Sequence, residues 1–399
     1  IIEEKLYDQQ YIQANVEGFE ALEKKVKDFS PEAMEEISGV SADYVREFSR
    51  IYATSENSII FWGMGISQHV HGTDNSRCLI ALSLITGHVG RPGTGLHPLR
   101  GQNNVQGASD AGLIPMVYPN YQSVEDVDIR NFFEDKWGRS LDPTKGLTVV
   151  EIMNRIVSSQ MFGMYVMGEN PAMSDPDQNH ARLALSKLQH LVVQDIFFTE
   201  TAWFADVIFP ASAQPEKAGT YTNSNRQVQI GFPVRKTPGE ARQDWKLIVD
   251  LAKRCGLNWD YKNVSAVYEE MASTMSSLNN ISWQRLEKEG AVCYPVDDET
   301  SFGNEILFSE GFPTSNGKAK IVPADLMPPD EKPNKKYPFI LTTGRLLEHW
   351  HTGAMTRRSS MLEAQEPIPT VSMHPYDIRK LGLKRGENVL VETQRGITV

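Results

Sequence analysis

Residues 99–107, with the sequence LRGQNNVQG, place an arginine beside a glycine and a series of amide side chains. The Arg100 guanidinium can hold a carboxylate or a phosphate through two parallel hydrogen bonds. Amides such as Gln102 offer both donors and acceptors, and Gly101 allows the backbone to approach a ligand closely. The stretch therefore predicts an anion-binding loop. The alternative is a surface loop whose amides cap helices.

Polar side chains also follow two predicted strands. Gly168-Glu169-Asn170-Pro171 comes directly after the strand at residues 163–167, and Gln194-Asp195 ends the strand at residues 190–195. Because the carboxyl ends of parallel strands meet at one edge of a sheet, we expect these side chains to be neighbours. Carboxylates at such an edge face a ribose or a base, so the two motifs together predict a nucleotide-like ligand. A single motif of this kind would indicate only a structural turn.

A glycine loop, Gly63-Met64-Gly65, follows the apolar residues 58–62. A strand, a glycine loop and a helix in this order can direct backbone N–H groups at a phosphate. Tight packing of the helix on the strand explains the glycines equally well. The third glycine of the dinucleotide fingerprint is missing, which disfavours an NAD-binding dehydrogenase.

Two further segments have side chains suited to ligand binding. Residues 216–226 are polar and rich in turn formers, which predicts a hairpin that either lines a cleft or is purely structural. On an extended segment His349 and His351 would point the same way. No third ligand lies nearby, so we assign no metal ligand and favour hydrogen bonds to a ligand or a packed polar corner.

Composition narrows the functional class. The formal net charge of −11 argues against a nucleic-acid partner or an anionic membrane, which require clustered Lys and Arg. No apolar run approaches the roughly 20 residues of a membrane span. The three cysteines, Cys78, Cys255 and Cys293, are too dispersed for a disulfide framework or a local four-cysteine metal site.

The elements that must position these residues alternate between strand and helix. Apolar runs at residues 58–62, 163–167, 190–195 and 207–210 read as strands, with helices between them. Before the first of these strands, Ser30 followed by Pro31 predicts the start of one helix, and Ser41 predicts the start of a second. This order predicts an α/β fold with Rossmann-like, doubly wound sheets. After a proline-rich linker at residues 328–333, we expect strands at residues 337–343 and 388–393, a turn at residues 394–396 and a returning strand. We expect a chain that continues beyond both ends, because it opens without Met and the last strand lacks a partner.

Together these stretches resemble the large subunit of molybdenum- or tungsten-dependent formate dehydrogenases, in the dimethyl-sulfoxide-reductase superfamily. The resemblance extends from about residue 58 to residue 393, and it is most specific at residues 99–107 and 167–171. Residues 193–197, 205–210 and 341–345 add to it. The continuation through residues 346–352 is similar to the cytosolic, NAD-linked branch, which implies a cytoplasmic protein.

The resemblance implies two molybdopterin guanine dinucleotides around molybdenum or tungsten. Arg100 then matches the residue that holds formate beside the metal, and Gln102, Met64 and Gln68 match residues lining the cofactor. The residues that match contacts to a guanosine arm are Gly168, Glu169, Asn170, Ser174, Gln194, Asp195 and Asp244. Arg345, His349, His351 and Thr352 match pterin and phosphate contacts. The family can have Asp where Asn170 stands, and a relative has Ser where Ala211 stands.

The resemblance also implies four regions. Residues 1–100 would end an α/β pterin-binding domain, and residues 101–255 would form a second α/β domain that binds the guanine dinucleotide. Residues 256–335 would be a mixed connection, and residues 336–399 would begin a β-barrel domain of the double-psi type. The family's iron–sulfur domain and its metal-ligating Cys or selenocysteine have no counterpart here, so we expect them in a missing N-terminal part and expect the fragment alone to be inactive.

Formate and electron-transfer subunits with iron–sulfur clusters or flavin are the implied partners. Two rival functions stay open. Another molybdopterin oxidoreductase such as a nitrate reductase would tend to have Thr where Arg100 stands. A non-catalytic scaffold of the same fold would not need to keep cofactor contacts in several separate segments.

Overall fold

The computed structural model describes residues 1–398. Its helices are short and distributed along the whole chain. In chain order the α-helices are α1 (Gln9–Asn15), α2 (Phe19–Val26), α3 (Pro31–Ser38), α4 (Ala42–Thr54), α5 (Met64–Ser67), α6 (Gly72–Ile85), α7 (Val105–Asp110), α8 (Val127–Trp137), α9 (Val149–Val157), α10 (Pro171–Ser174), α11 (Gln178–Lys187), α12 (Asp244–Arg254), α13 (Val264–Ala272), α14 (Trp283–Glu289), α15 (Ser360–Gln365) and α16 (Pro375–Lys380). Five 3-10 turns lie at Pro119–Tyr121, Ala202–Phe204, Gln214–Glu216, Ser276–Leu278 and Thr356–Arg358. Within residues 1–398 no helix is both long enough and apolar enough to cross a membrane.

The strands form small sheets. They are β1 (Val16–Glu17), β2 (Ile59–Trp62), β3 (Gly95–Pro98), β4 (Val117–Tyr118), β5 (Gln122–Ser123), β6 (Gly163–Met167), β7 (His190–Asp195), β8 (Val207–Pro210), β9 (Gly219–Thr222), β10 (Gln227–Gly231), β11 (Ala291–Cys293), β12 (Ala319–Lys320), β13 (Val391–Glu392) and β14 (Ile397–Thr398). The order β6-β7-β8 is a parallel sheet, β2-β3 is a parallel pair, and β9-β10-β11 is antiparallel. The predicted α/β class is confirmed, with two or three strands per sheet.

Side-chain caps start the helices where the sequence predicts. The Ser30 hydroxyl accepts from the Ala33 N–H at 3.2 Å, with Pro31 in the first helical position. The Ser41 hydroxyl accepts from the Tyr44 N–H at 3.3 Å. Such caps satisfy backbone donors that have no partner within the helix, so these boundaries follow from local sequence.

The parallel sheet β6-β7-β8 is held by an apolar core. Val166, Leu191 and Val193 are at most 4% exposed and pack with Leu185 of α11 and with Ala202. Burying an aliphatic side chain of this size stabilises a fold by about 1.5–3 kcal/mol. The continuous apolar runs therefore predicted these strands correctly. The central strand β7 is covered on both faces, whereas alternate residues of β6 and β8 are exposed.

The predicted strand at residues 337–343 is wrong. Phe339, Ile340 and Leu341 are 49–79% exposed, and residues 338–343 make no backbone hydrogen bond within residues 1–398. An apolar run becomes a strand only when a neighbouring strand satisfies its backbone groups. The later turn is confirmed, since β13 and β14 pair as a hairpin around residues 394–396. The start of a β-barrel stays a prediction.

Candidate functional site

A cavity of about 460 Å³ lies at the carboxyl edge of the sheet β6-β7-β8. Residues that follow each of the three strands line it, together with the first residue of α12 and part of the segment 350–355. The lining residues that the sequence singled out are Gln102, Gly168, Glu169, Asn170, Ser174, Gln194, Asp195, Asp244, His351 and Thr352. Separate predicted motifs thus meet in one place.

A chain of polar side chains fixes Asp244 at the cavity wall. Gln194 is fully buried, and its Nε2 donates to Asp244 Oδ1 at 2.7 Å while its Oε1 accepts from the Tyr165 hydroxyl. Lys217 forms an ion pair with the other oxygen, Asp244 Oδ2. Because both oxygens of the carboxylate are engaged, its orientation is fixed. Lys217 was not predicted, although it lies within the polar segment 216–226.

Asn170 is turned into the protein. Its Oδ1 accepts from the Thr201 N–H at 3.1 Å and from the Thr201 hydroxyl at 2.8 Å. Its Nδ2 donates to Glu200 Oε2 at 2.8 Å, and the residue is only 5% exposed. These contacts make Asn170 a positioning residue for the loop that carries Glu169, in addition to a wall of the cavity.

The pKa values of two cavity carboxylates, Glu169 and Asp195, are raised above their ordinary values. Desolvation raises the pKa of Glu169, although more than a third of the residue is open to solvent, and the charges of Asp175 and Asp195 raise it further. Desolvation also raises the pKa of Asp195, partly offset by the Ile196 N–H that donates to it at 2.6 Å. No salt bridge neutralises either carboxylate within the described residues. A ligand rich in N–H and O–H donors would relieve this unfavourable charge.

Two buried donors complete the lining. The Ser212 hydroxyl follows β8 in a residue that is 1% exposed, and the Trp350 indole N–H comes from the C-terminal segment. Neither atom has a hydrogen-bond partner within residues 1–398. Neither was predicted, since the candidates beside Trp350 were His349, His351 and Thr352. Buried polar groups without partners are rare, so each marks a place where a ligand atom is expected.

The remaining predicted site residues lie outside this cavity. Met64 is 40% exposed, and Gln68 directly follows the short helix α5. The Arg100 backbone N–H donates to Ser224 Oγ at 3.2 Å, and its guanidinium makes no hydrogen bond or ion pair within the part of the chain that is described. The Arg345 guanidinium lies 5.2 Å from the centre of the Trp350 ring.

His349 is buried away from the cavity, at 6% exposure. Its Nε2 lies 2.7 Å from the Glu366 carbonyl oxygen, and its Nδ1 lies 3.3 Å from Thr356 Oγ1. Both ring nitrogens are therefore engaged inside the fold. Among the described residues no group of three or more His, Cys, Asp or Glu side chains is arranged to hold a metal ion.

Comparisons with known proteins place this geometry in a family. Residues 10–254 match the family described as Molybdopterin oxidoreductase, and residues 339–399 match the Molydopterin dinucleotide binding domain. The chain is 42% identical over 398 residues to the F420-dependent formate dehydrogenase subunit alpha of Methanocaldococcus jannaschii, covering 99% of this chain and 58% of that protein. It is 34% identical over 400 residues to formate dehydrogenase H of Escherichia coli, covering 99% of this chain and 56% of the relative.

A solved structure supports the same fold. Acetylene hydratase from Pelobacter acetylenicus superposes with a TM-score of 0.75 at 20% identity, over 100% of this chain and 58% of that chain. This chain thus spans less than two thirds of the length of these proteins. The family match covers more than half of the chain, with the strands that frame the cavity inside it. The chain therefore belongs to the molybdopterin oxidoreductase family.

Proposed function

We propose that this chain is part of the catalytic subunit of a cytoplasmic formate dehydrogenase, which oxidises formate to carbon dioxide reversibly. The cofactor would be two molybdopterin guanine dinucleotides around molybdenum or tungsten. One observation supports formate most directly. Arg100 has no internal partner for its guanidinium within the described residues, and it lies two positions from Gln102, which lines the cavity of about 460 Å³. The relatives named above as formate dehydrogenases support the same substrate.

The cavity residues fit one guanosine arm of such a cofactor. Guanine has adjacent N–H donors, and a ribose has hydroxyl donors, which suit the acceptors Glu169, Asp195 and Asp244. The unpartnered Ser212 hydroxyl offers a donor to an acceptor on the ligand, one residue from Ala211, which has no hydroxyl. In this arrangement Asp244, held by Gln194 and Lys217, accepts from the ligand without having to be reoriented.

Other residues would serve the rest of the cofactor. Met64 and Gln68 would contact one pterin, and Arg345, His351 and Thr352 would contact pterin and phosphate groups. When bound, the metal–pterin group would accept the two electrons of formate oxidation and pass them, through iron–sulfur clusters, toward electron-transfer subunits.

Arg100 would bind the formate carboxylate with two parallel charge-assisted hydrogen bonds. The planar fork fixes both oxygens at once, so it also fixes the direction of the C–H bond. A lysine would keep the positive charge but lose this orientation. Gln102, two residues along the same loop, would connect the position of Arg100 to the bound cofactor.

The experiment compares the cofactor-loaded full-length protein with its Arg100→Lys and Arg100→Ala variants. Metal content, guanine nucleotide content and formate-dependent dye reduction are measured for each. Losing one charge-assisted hydrogen bond, about 1.5–3 kcal/mol, should raise the formate KM roughly 10- to 150-fold in Arg100→Lys.

The matched control is Arg139→Ala, because Arg139 is exposed and its side chain makes no hydrogen bond within residues 1–398. It should leave the formate KM unchanged. Two results would contradict the proposal. One is a full-length protein that contains neither metal nor guanine nucleotide, and the other is a wild-type KM in Arg100→Lys.

A further inference from the structure

Trp350 touches the loop that carries Arg100. A Cβ atom built on Gly101 would come within 3.0 Å of Trp350 Cη2 and 3.2 Å of Cζ2. These separations are shorter than the roughly 3.5–4.0 Å of ordinary carbon contacts, so the ring packs directly on the glycine backbone. No other residue type fits at position 101 unless the ring moves. Gly101, which directly follows Arg100, is thus in contact with the side chain of Trp350, from a distant part of the sequence.

The same indole faces the cofactor cavity. Trp350 belongs to the cavity lining, and its buried Nε1 has no hydrogen-bond partner within residues 1–398. A buried N–H donor without an acceptor is unfavourable, so an acceptor in the cavity would be bound there. A single side chain therefore has one edge on the Arg100 loop and one donor available to a ligand.

The backbone of Trp350 is anchored, so the ring cannot easily withdraw. The Trp350 N–H donates to Thr356 Oγ1 at 3.0 Å, which leaves the Thr356 hydroxyl hydrogen to point at Nδ1 of His349, 3.3 Å away. Nε2 of His349 then donates to the Glu366 carbonyl at 2.7 Å. This buried set of hydrogen bonds holds the segment that presents Trp350, and it assigns His349 a positioning role.

We propose that Trp350 is a positioning residue that couples cofactor binding to formate binding. Its indole N–H binds an oxygen of the dinucleotide, and its ring packs on Gly101 so that Arg100 keeps the orientation that formate requires. This inference rests on the proposed function and deepens it, because it assigns a role to a residue outside the predicted site.

The test uses cofactor-loaded full-length protein with the variants Trp350→Phe, Trp350→Ala and Gly101→Ala. Trp350→Phe keeps an aromatic ring beside Gly101 but loses the N–H. It should retain guanine nucleotide about two- to tenfold more weakly through gel filtration, with a formate KM close to that of the wild type.

Trp350→Ala loses both contacts, and Gly101→Ala displaces the ring. Per bound cofactor, Trp350→Ala should raise the formate KM by about tenfold, and Gly101→Ala by about two- to fivefold because the ring must move by only a few tenths of an ångström, while kcat changes less. Gly101→Ala should also retain its nucleotide more weakly, because the displaced ring carries the indole N–H. The control is Trp203→Ala, because Trp203 is 76% exposed and lies outside the cavity lining.

The outcomes separate the two proposals. A wild-type protein that does not oxidise formate would overturn the proposed function. A wild-type protein that oxidises formate, with an unchanged KM in Trp350→Ala, would overturn only the role of Trp350. If Trp350→Ala does not fold, wild-type nucleotide retention by Trp350→Phe together with a wild-type KM in Gly101→Ala overturns it as well.

Discussion

Two parts of this chain share the order strand, glycine loop, helix and parallel strand. The first sheet unit is residues 59–98, with β2 and β3, and the second sheet unit is residues 163–210, with β6, β7 and β8. In the first unit the strand residues Ile59 and Phe61 are 45% and 57% exposed. In the second unit Val166 is 4% exposed, and the loop after its strand lines a cavity.

The two units also differ in the residues that hold the loop after the first strand. In the second unit the side chain of Asn170 is bound by Thr201 and Glu200, which lie beyond the next strand. In the first unit the loop region is held by the exposed Asn75, whose Nδ2 donates to the Ile66 carbonyl at 2.9 Å. A similar local pattern thus yields a rigid cavity edge only where more distant residues supply buried partners.

The largest expected difference between the two units is in how much stability a strand side chain contributes. Leu191→Ala removes a side chain that is 1% exposed in β7 and should lower the free energy of unfolding by about 2–5 kcal/mol. Ile59→Ala in β2 should lower it by less than about 1 kcal/mol, because that side chain is 45% exposed. Urea unfolding of both variants measures the two losses. Equal losses would remove the distinction between the units.

The second-largest expected difference is in the stability that one asparagine contributes to the loop of each unit. Asn170→Ala leaves the buried N–H and hydroxyl of Thr201 without their acceptor, and each such group costs about 1–3 kcal/mol, so a total loss of about 2–4 kcal/mol is expected. Asn75→Ala removes a single exposed hydrogen bond and should cost less than about 1 kcal/mol. Chemical denaturation again gives the values. A larger loss for Asn75→Ala would reverse the comparison.

A smaller difference in stability is expected between alanine substitutions of the loop glycines Gly168 and Gly65. Gly168 has φ +65° with open space around it, so Gly168→Ala should cost about 1–2 kcal/mol from backbone conformation alone. Gly65 lies in α5, has a helical conformation and also has open space, so Gly65→Ala should be neutral or stabilise by up to about 1 kcal/mol. Thermal unfolding of both variants tests the contrast, which a destabilised Gly65→Ala would contradict.

The smallest expected effect is a pH dependence that comes from Glu169, in the loop of the second unit. The folded-state pKa of Glu169 is raised by desolvation and by neighbouring carboxylates, so the folded state binds the proton more tightly than the unfolded state. This contribution to stability is fully present below the unfolded pKa of about 4.3 and is lost as pH rises through the folded pKa.

Glu169→Gln should remove that loss, so its melting temperature in cofactor-free protein should fall less with rising pH than that of the wild type. The control is Glu36→Gln, because Glu36 is exposed and makes no side-chain hydrogen bond within the described residues. Parallel curves for wild type and Glu169→Gln would show that the carboxylate is not destabilised by its surroundings.

Local sequence was sufficient for much of the fold. The boundaries of β6, β7 and β8 match their apolar runs, and Ser30 and Ser41 start helices as predicted, because an apolar run and a capping side chain are both read within a few positions. The sequence also predicted that Glu169 and Asp195 lie at the same edge of the sheet, since parallel strands in one sheet end at one edge. The strand at residues 337–343 failed because it needed a neighbour that local sequence cannot supply.

The sequence by itself determined which residue types the site contains and the sheet edge at which most of them gather. Only the tertiary structure decided what each does there. It paired Lys217 with Asp244, turned Asn170 and His349 into the fold, and set Trp350 against Gly101. Each of these contacts joins segments far apart in the chain, and no periodicity or spacing along the sequence specifies which distant side chain fills a given position.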